Sequence, residues 1–274
     1  MSRIFLSFSP LMLLASLAAQ SHYHATCNGA QEVPPVVSPA VAKGRAILNV
    51  NNTLTYELNV QGLPSAAIFS HIHAGALGIA GPLLYTLTMT SGTTWAGTTP
   101  VLTAAEITSL NAGNLYMAIH TAANPNGEVR GQLIPAKPPA KFGVGCVGTN
   151  ALVPAISSGH LACISMNFKI DLANARASSV ALLFLGNSNT LYGALPLPFN
   201  LGIIGMTGCT LYCSDLGAGL SSATSATGTG VVVIPIPFST FLIGLQLYSQ
   251  WFVVDPGANG LNLVTSDALS YAIK

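Results

Sequence analysis

The stretch Leu54-Thr55-Tyr56-Glu57-Leu58-Asn59-Val60 decides the fold class. Its apolar residues fall on every second position, and successive side chains of a strand point to opposite faces, so it reads as a strand with one buried face. Asn51-Asn52 supplies turn chemistry just before it, and residues 46–60 are expected to form a hairpin. Residues 83–90 repeat the pattern with Thr86, Thr88 and Thr90 on one face, and residues 115–120 form another strand. A single short helix is expected. Thr103 and Glu106 have the spacing of a capping box, Ile107 and Leu110 supply an apolar face, and Gly113 is placed to end it. Farther along, strands are expected at residues 180–185, 230–236, 244–254 and 261–264, with Pro196, Pro198, Pro235 and Pro237 at strand ends. Lys137-Pro138-Pro139-Ala140-Lys141 reads as a stiff linker between the halves. The fold class is therefore all-β, with two β-sandwich domains in tandem and one short helix in the first.

Composition excludes several functions. Only 6% of the 274 residues are charged and the net charge is +1, so no basic footprint for nucleic acid exists. Half the residues are apolar, which argues against disorder. The uncharged stretch 177–214 is broken by Gly186, Asn187, Pro196, Pro198 and Gly202, so it does not read as a spanning helix. Arg3, the apolar run Ile4 to Leu17 and the small residues Ser16, Ala18 and Ala19 describe a signal peptide over residues 1–20, with cleavage near Ala18 or Ala19. The expected location is secreted or at the cell surface, the periplasm included, with no membrane span after cleavage. In an oxidising compartment Cys27, Cys146, Cys163, Cys209 and Cys213 become disulfide candidates, and spacing leaves their pairing open.

In the first half, several motifs occur in a characteristic order. Asn28-Gly29-Ala30-Gln31-Glu32-Val33-Pro34-Pro35 is followed by Gly44 and the 54–58 strand. Then come His71-Ile72-His73-Ala74-Gly75, Gly81-Pro82, Leu102-Thr103-x-x-Glu106 and Leu110-x-x-Gly113-x-x-Tyr116. His120-Thr121-x-x-x-Pro125-x-Gly127-Glu128-Val129-Arg130-Gly131-Gln132-Leu133 closes the series. Over residues 25–136 this resembles the CHRD domain, the module named after chordin. The resemblance implies an extracellular, immunoglobulin-like sandwich without an established enzymatic role. Cys27 departs from the pattern, which has an apolar residue there.

Residues 142–274 resemble a C-terminal domain of secreted proteins from planctomycete-like bacteria, through Gly143-Val144-Gly145-Cys146, Gly208-Cys209, Gln250-Trp251 and Asp255-Pro256-Gly257-Ala258-Asn259. In that pattern the two Gly-Cys elements pair, which implies a Cys146–Cys209 bridge and leaves Cys163–Cys213 as the extra one.

Candidate chemistry centres on His71, His73 and His120. Residues two apart on a strand share a face, so His71 and His73 aim together, and His120 ends a separate strand. Three imidazoles brought together could bind copper or zinc. The order His-x-His, Gly81-Pro82, His120 and Gly127-Glu128-Val129-Arg130 is similar to the copper site of copper/zinc superoxide dismutases. The dinuclear site of those enzymes also needs a bridging His and an Asp, and residues 25–136 contain no Asp. The competing reading has the histidines stapling loops. His22 and His24 read as a solvated tail, with an N-terminal copper site as the alternative, and His160 as a surface or loop residue. Glu32, Glu128 and Arg130 are expected to form a structural ion pair, Glu32–Arg130 or Glu128–Arg130. Trp251 reads as core, and Asp255-Pro256-Gly257 as a turn. No catalytic residues are assigned. The functional reading is an exported, non-catalytic binding or structural module whose partner is an extracellular protein or surface component. The alternative is a mononuclear copper or zinc protein.

Overall fold

The computed structural model describes residues 20–274. The signal peptide and its cleavage site lie outside the described residues. The chain is all-β. In the first half the elements are β1 (Ser21–Asn28), β2 (Val41–Leu48), β3 (Leu54–Gln61), β4 (Ala67–Ala74), β5 (Leu83–Thr86), β6 (Met89–Ser91), β7 (Thr94–Thr98), α1 (Ala104–Asn111), β8 (Leu115–Thr121), β9 (Val129–Gln132) and β10 (Ile134–Ala136). They build one antiparallel sheet in the order β5-β4-β8-β9-β1-β2-β3-β7-β6, with β10 added to β1.

The alternation of 54–60 appears as expected. Leu54, Tyr56, Leu58 and Val60 are buried, and β2 and β3 form the hairpin, with Asn52 at φ 61° in its turn. The expected strand 83–90 is instead two strands. Leu87 is buried and its N–H donates to Ser70, while Thr88 N–H donates to the Tyr56 hydroxyl. The two-residue step carries the chain from the β4 edge of the sheet to the β7 edge, so the sheet curls until its edges are joined by consecutive residues. The capping box of α1 is present, and Gly113 at φ +72° follows the helix end. Gly113 thus supplies the left-handed conformation that stops the helix. Trp95, Leu58, Ile72, Leu110, Met117 and Ile119 fill the interior of this curled sheet. Cys27 is fully buried among them, where a thiol packs as a small apolar group.

The second half continues with β11 (Ala140–Phe142), β12 (Ala155–Ser157), β13 (Asn167–Ala173), β14 (Val180–Gly186), β15 (Leu191–Tyr192), β16 (Leu195–Pro196), β17 (Phe199–Asn200), β18 (Thr210–Leu211), β19 (Leu220–Ala223), β20 (Gly230–Pro235), β21 (Gln246–Val254) and β22 (Leu263–Ala272). A five-stranded sheet, β11-β22-β21-β14-β19, faces a three-stranded one, β12-β13-β20, across a core of Trp251, Phe168, Ile170, Leu183 and Val253. Trp251 is fully buried and its indole N–H donates to the Asp171 carbonyl at 3.2 Å, so it is core. Residues 140–142, at the end of the segment read as linker, pair with β22.

Cys146 and Cys209 are disulfide-bonded across 63 residues. The Cys163–Cys213 bridge is not formed; both thiols are free and buried. Cys163 packs with Leu161 and Met166 against Ala136 of the first half, whereas Cys213 lies within electrostatic reach of Asp215 and Tyr271. Burial pushes the two thiols up to about 11 and about 12, respectively, which leaves them unreactive at neutral pH.

His22 and His24 are not in a tail. Both lie in β1, and His22 is buried. The outer face of β1–β3 meets the second half here. Arg45 pairs with Glu57 and donates to the Leu161 and Asn167 carbonyls, each at 3.1 Å, and Asn59 donates to the Ser165 carbonyl.

Candidate metal centre

The site stands on β4 and β8. Their pairing sets Phe69 opposite His120, His71 opposite Ala118 and His73 opposite Tyr116. His71 and His73 project from one face of β4, and Ile72 between them enters the core with no exposure. Ala118, a small residue opposite His71, leaves room for the rings to converge. The His71 ring centroid lies 4.9 Å from that of His120 and 5.5 Å from that of His73. One ligand nitrogen from each of the three rings lies within 4.8 Å of the others. Ligand nitrogens about 2.0–2.1 Å from a shared ion stand roughly 3.3 Å apart in tetrahedral geometry.

Hydrogen bonding sorts the nitrogens. His73 Nδ1 lies 3.1 Å from the Gly81 carbonyl, and His120 Nδ1 lies 3.0 Å from the Pro125 carbonyl. A carbonyl only accepts, so in each neutral ring Nδ1 carries the proton and Nε2 keeps its lone pair. His73 Nε2, His120 Nε2 and His71 Nδ1 are all buried without a hydrogen-bond partner. A buried polar atom left unpaired costs about 1–3 kcal/mol, so three in one place call for an explanation.

The rings are poised to be neutral. Burial first, then the proximity of His120 and His73, pushes His71 down to about 4. Burial likewise lowers His73 and His120, against the opposing pull of their carbonyl partners. Metal ligation requires neutral imidazole, so no proton has to be displaced at neutral pH.

The expected ion pair of Arg130 with Glu32 or Glu128 is not formed. The Arg130 guanidinium lies 3.6 Å over the Tyr116 ring and donates to backbone carbonyls and to Gln132. Glu128, fully buried, accepts from Ser38, Thr121 and Asn124 instead. Burial raises its carboxyl, but these bonds together outweigh burial and hold it below the usual range. Glu32 is buried with Oε1 unpartnered. Burial pushes its carboxyl up to about 7, with Arg130 pulling down and Glu128 adding to the rise. Charge scarcity suggested pairing these groups. The structure gives Glu128 and the two terminal nitrogens of Arg130 neutral partners and leaves Arg130 Nε unpartnered, which a count of charges does not reveal.

Sequence reasoning also missed Tyr116, whose ring stacks on His73 at 5.0 Å and 6°. The signal was available in the alternation of Tyr116, Ala118 and His120, which share one face of β8.

Among the described residues no other group of three His, Cys, Asp or Glu side chains converges in this way. No helix of the described residues is long and apolar enough to cross a membrane. No curated protein matches the chain significantly. Residues 23–133, which hold all three histidines together with Glu32, Tyr116, Glu128 and Arg130, match the profile of the CHRD domain family.

Proposed function

We propose that the CHRD domain of this chain is a metal-binding module that holds one copper or zinc ion through His71, His73 and His120. The observation that carries the proposal is a cluster of three imidazoles with one ring nitrogen of each within 4.8 Å of the others, in which three buried ring nitrogens lack partners and two rings have their other nitrogen fixed by a backbone carbonyl. A carbonyl bonded to the far ring nitrogen orients a metal-binding histidine and sets its tautomer. An all-imidazole set suits copper and zinc and gives calcium or magnesium nothing they favour. Three protein ligands leave a fourth position for water or another small ligand, the open form of such sites.

A purely structural role for the histidines accounts for the bonds to Gly81 and Pro125. It leaves His71 and both Nε2 atoms unexplained. A dinuclear dismutase-like centre has no Asp ligand to draw on, because residues 25–136 contain none. The setting of the module is read as outside the cytoplasm, supported by the leader-like first twenty residues, the CHRD match and the Cys146–Cys209 bridge. The second half is read as a separate sandwich domain of the kind that accompanies exported planctomycete-type proteins, supported by its own core and by the paired Gly-Cys elements.

The test is elemental analysis of the purified full chain after equilibration with copper and with zinc. One equivalent of metal, lost in the His71→Ala/His73→Ala variant, supports the proposal. A wild-type chain that retains no metal, or a double variant that retains as much as wild type, overturns it.

A further inference from the structure

Between β4 and β5 the chain folds back over the sheet through residues 75–82 and supplies the carbonyl that fixes His73. This loop is pinned at several points by side chains that do not touch the proposed ion. Gln132 splits its amide between the Gly75 carbonyl at 3.0 Å and the Gly113 carbonyl at 2.7 Å. Arg130, 1% exposed, donates to the Ile79 carbonyl at 3.1 Å, the Ala76 carbonyl at 3.4 Å and Gln132 Oε1 at 3.0 Å. The Tyr116 hydroxyl accepts from Gly81 N–H at 3.2 Å, and the Gly81 carbonyl faces His73 Nδ1. The fit is tight: a Cβ on Gly81 would stand 1.4 Å from the Ala74 carbonyl oxygen.

We infer that Tyr116, Arg130 and Gln132 are positioning residues of the three-histidine site, acting on His73 through the 75–82 loop. Its consequence for metal affinity rests on the metal-binding reading above; its geometry does not. Arg130 and Gln132 hold the carbonyls at the start and middle of the loop, and Tyr116 holds the Gly81 amide at its end. The Gly81 carbonyl is thereby presented to His73, whose ring is also pressed flat against Tyr116. Both contacts fix the ring with Nδ1 protonated and the Nε2 lone pair free, the ring centroid 5.5 Å from that of His71 and 6.0 Å from that of His120. Arg130 does this with a planar fork of donors aimed at two carbonyls, a geometry that lysine does not reproduce. The Tyr116 ring thus contacts both the Arg130 guanidinium and the His73 ring.

The experiment uses the full chain with Tyr116→Phe and Arg130→Lys. Tyr116→Phe keeps the ring stack and deletes only the acceptor for Gly81, so it guards against an Arg130→Lys chain that does not fold. Competition titration with Cu(II) and with Zn(II) is expected to show affinity about 10-fold to 100-fold weaker in each folded variant, the usual cost of losing an outer-shell partner. The Cu(II) electron paramagnetic resonance spectrum is expected to shift as well. Wild-type affinity and an unchanged spectrum in both variants would overturn the inference. In the metal-free protein, the His73 Nδ1–H proton is expected to exchange slowly with solvent in wild type and fast in Tyr116→Phe. His120 Nδ1–H, bonded to Pro125 on a different loop, serves as the unaffected reference. If wild type binds no metal, the proton-exchange comparison still decides the positioning claim. Equal His73 protection in wild type and Tyr116→Phe sinks it.

Discussion

Two polar clusters, one in each half, differ in how their atoms are satisfied. In the second half, Asp255 is 1% exposed and accepts from Thr149 N–H, the Thr149 hydroxyl and Arg176. Burial raises its carboxyl, but these contacts overcome burial and hold it below the usual range. In the first half, His71, His73 and His120 converge and leave three ring nitrogens without partners. A cluster whose bonds close on itself serves the fold. A cluster whose open valences meet at one point is arranged for something else. On this contrast, perturbing the second half should cost stability and leave metal affinity alone, while perturbing the histidines should do the reverse.

The largest expected effect is on the second half. Replacing Cys146 and Cys209 by Ala releases a loop of 63 residues and should lower stability by about 4 kcal/mol. Urea unfolding followed by Trp251 fluorescence in a Trp95→Phe background measures it, since each half buries one tryptophan. Unchanged metal affinity in the same variant sharpens the contrast, and a parallel loss of affinity breaks it. Next, Asp255→Ala leaves Arg176 without its carboxylate and Thr149 without its acceptor. Because Arg176 is partly exposed, a loss of about 3 kcal/mol in the same unfolding assay is expected, at the low end for a broken buried pair.

Metal addition should act on the other half. At a free concentration 100 times Kd, a ligand that binds only the folded chain stabilises it by about 2.7 kcal/mol. A rise in the melting temperature of the first half with Cu(II) or Zn(II), absent in His71→Ala/His73→Ala, is the expected result.

The smallest effect concerns Glu32. Its folded-state value lies at about 7, against 4.5 for a free side chain. The folded state therefore binds the proton more tightly. The associated stability is fully present below about pH 4.5 and is lost as pH rises through about 7. Glu32→Gln should raise stability at pH 8 by about 1–2 kcal/mol, allowing for solvent screening, and flatten the slope between pH 5 and pH 8. Denaturation at several pH values checks this, and a wild-type slope retained in the variant contradicts it.

Much of this architecture could be read from local pattern. The alternation at 54–60 and the Thr103–Glu106 capping box are statements about neighbours in the chain, and both appear in the structure. His71 and His73 share a face because strand geometry requires it. Their approach to His120 needed the β4–β8 pairing, which residue spacing alone did not fix. Three expectations failed where tertiary placement decides. Arg130 donates to carbonyls of a loop more than fifty residues earlier and forms no ion pair. Cys163 and Cys213 fall in different packing environments despite matching a simple count of bridges. His22 and His24, beside an apolar leader-like run, join the central sheet because β1 pairs with both β2 and β10.

The most direct test of the central claim is to count the imidazole ligands in the copper-loaded protein. X-ray absorption, together with pulsed electron paramagnetic resonance of the Cu(II) form, measures this. Three histidine nitrogens at about 2.0 Å are predicted for wild type, and fewer in single variants of His71, His73 or His120. A copper ion bound without histidine nitrogens, or a spectrum untouched by all three variants, would contradict the account.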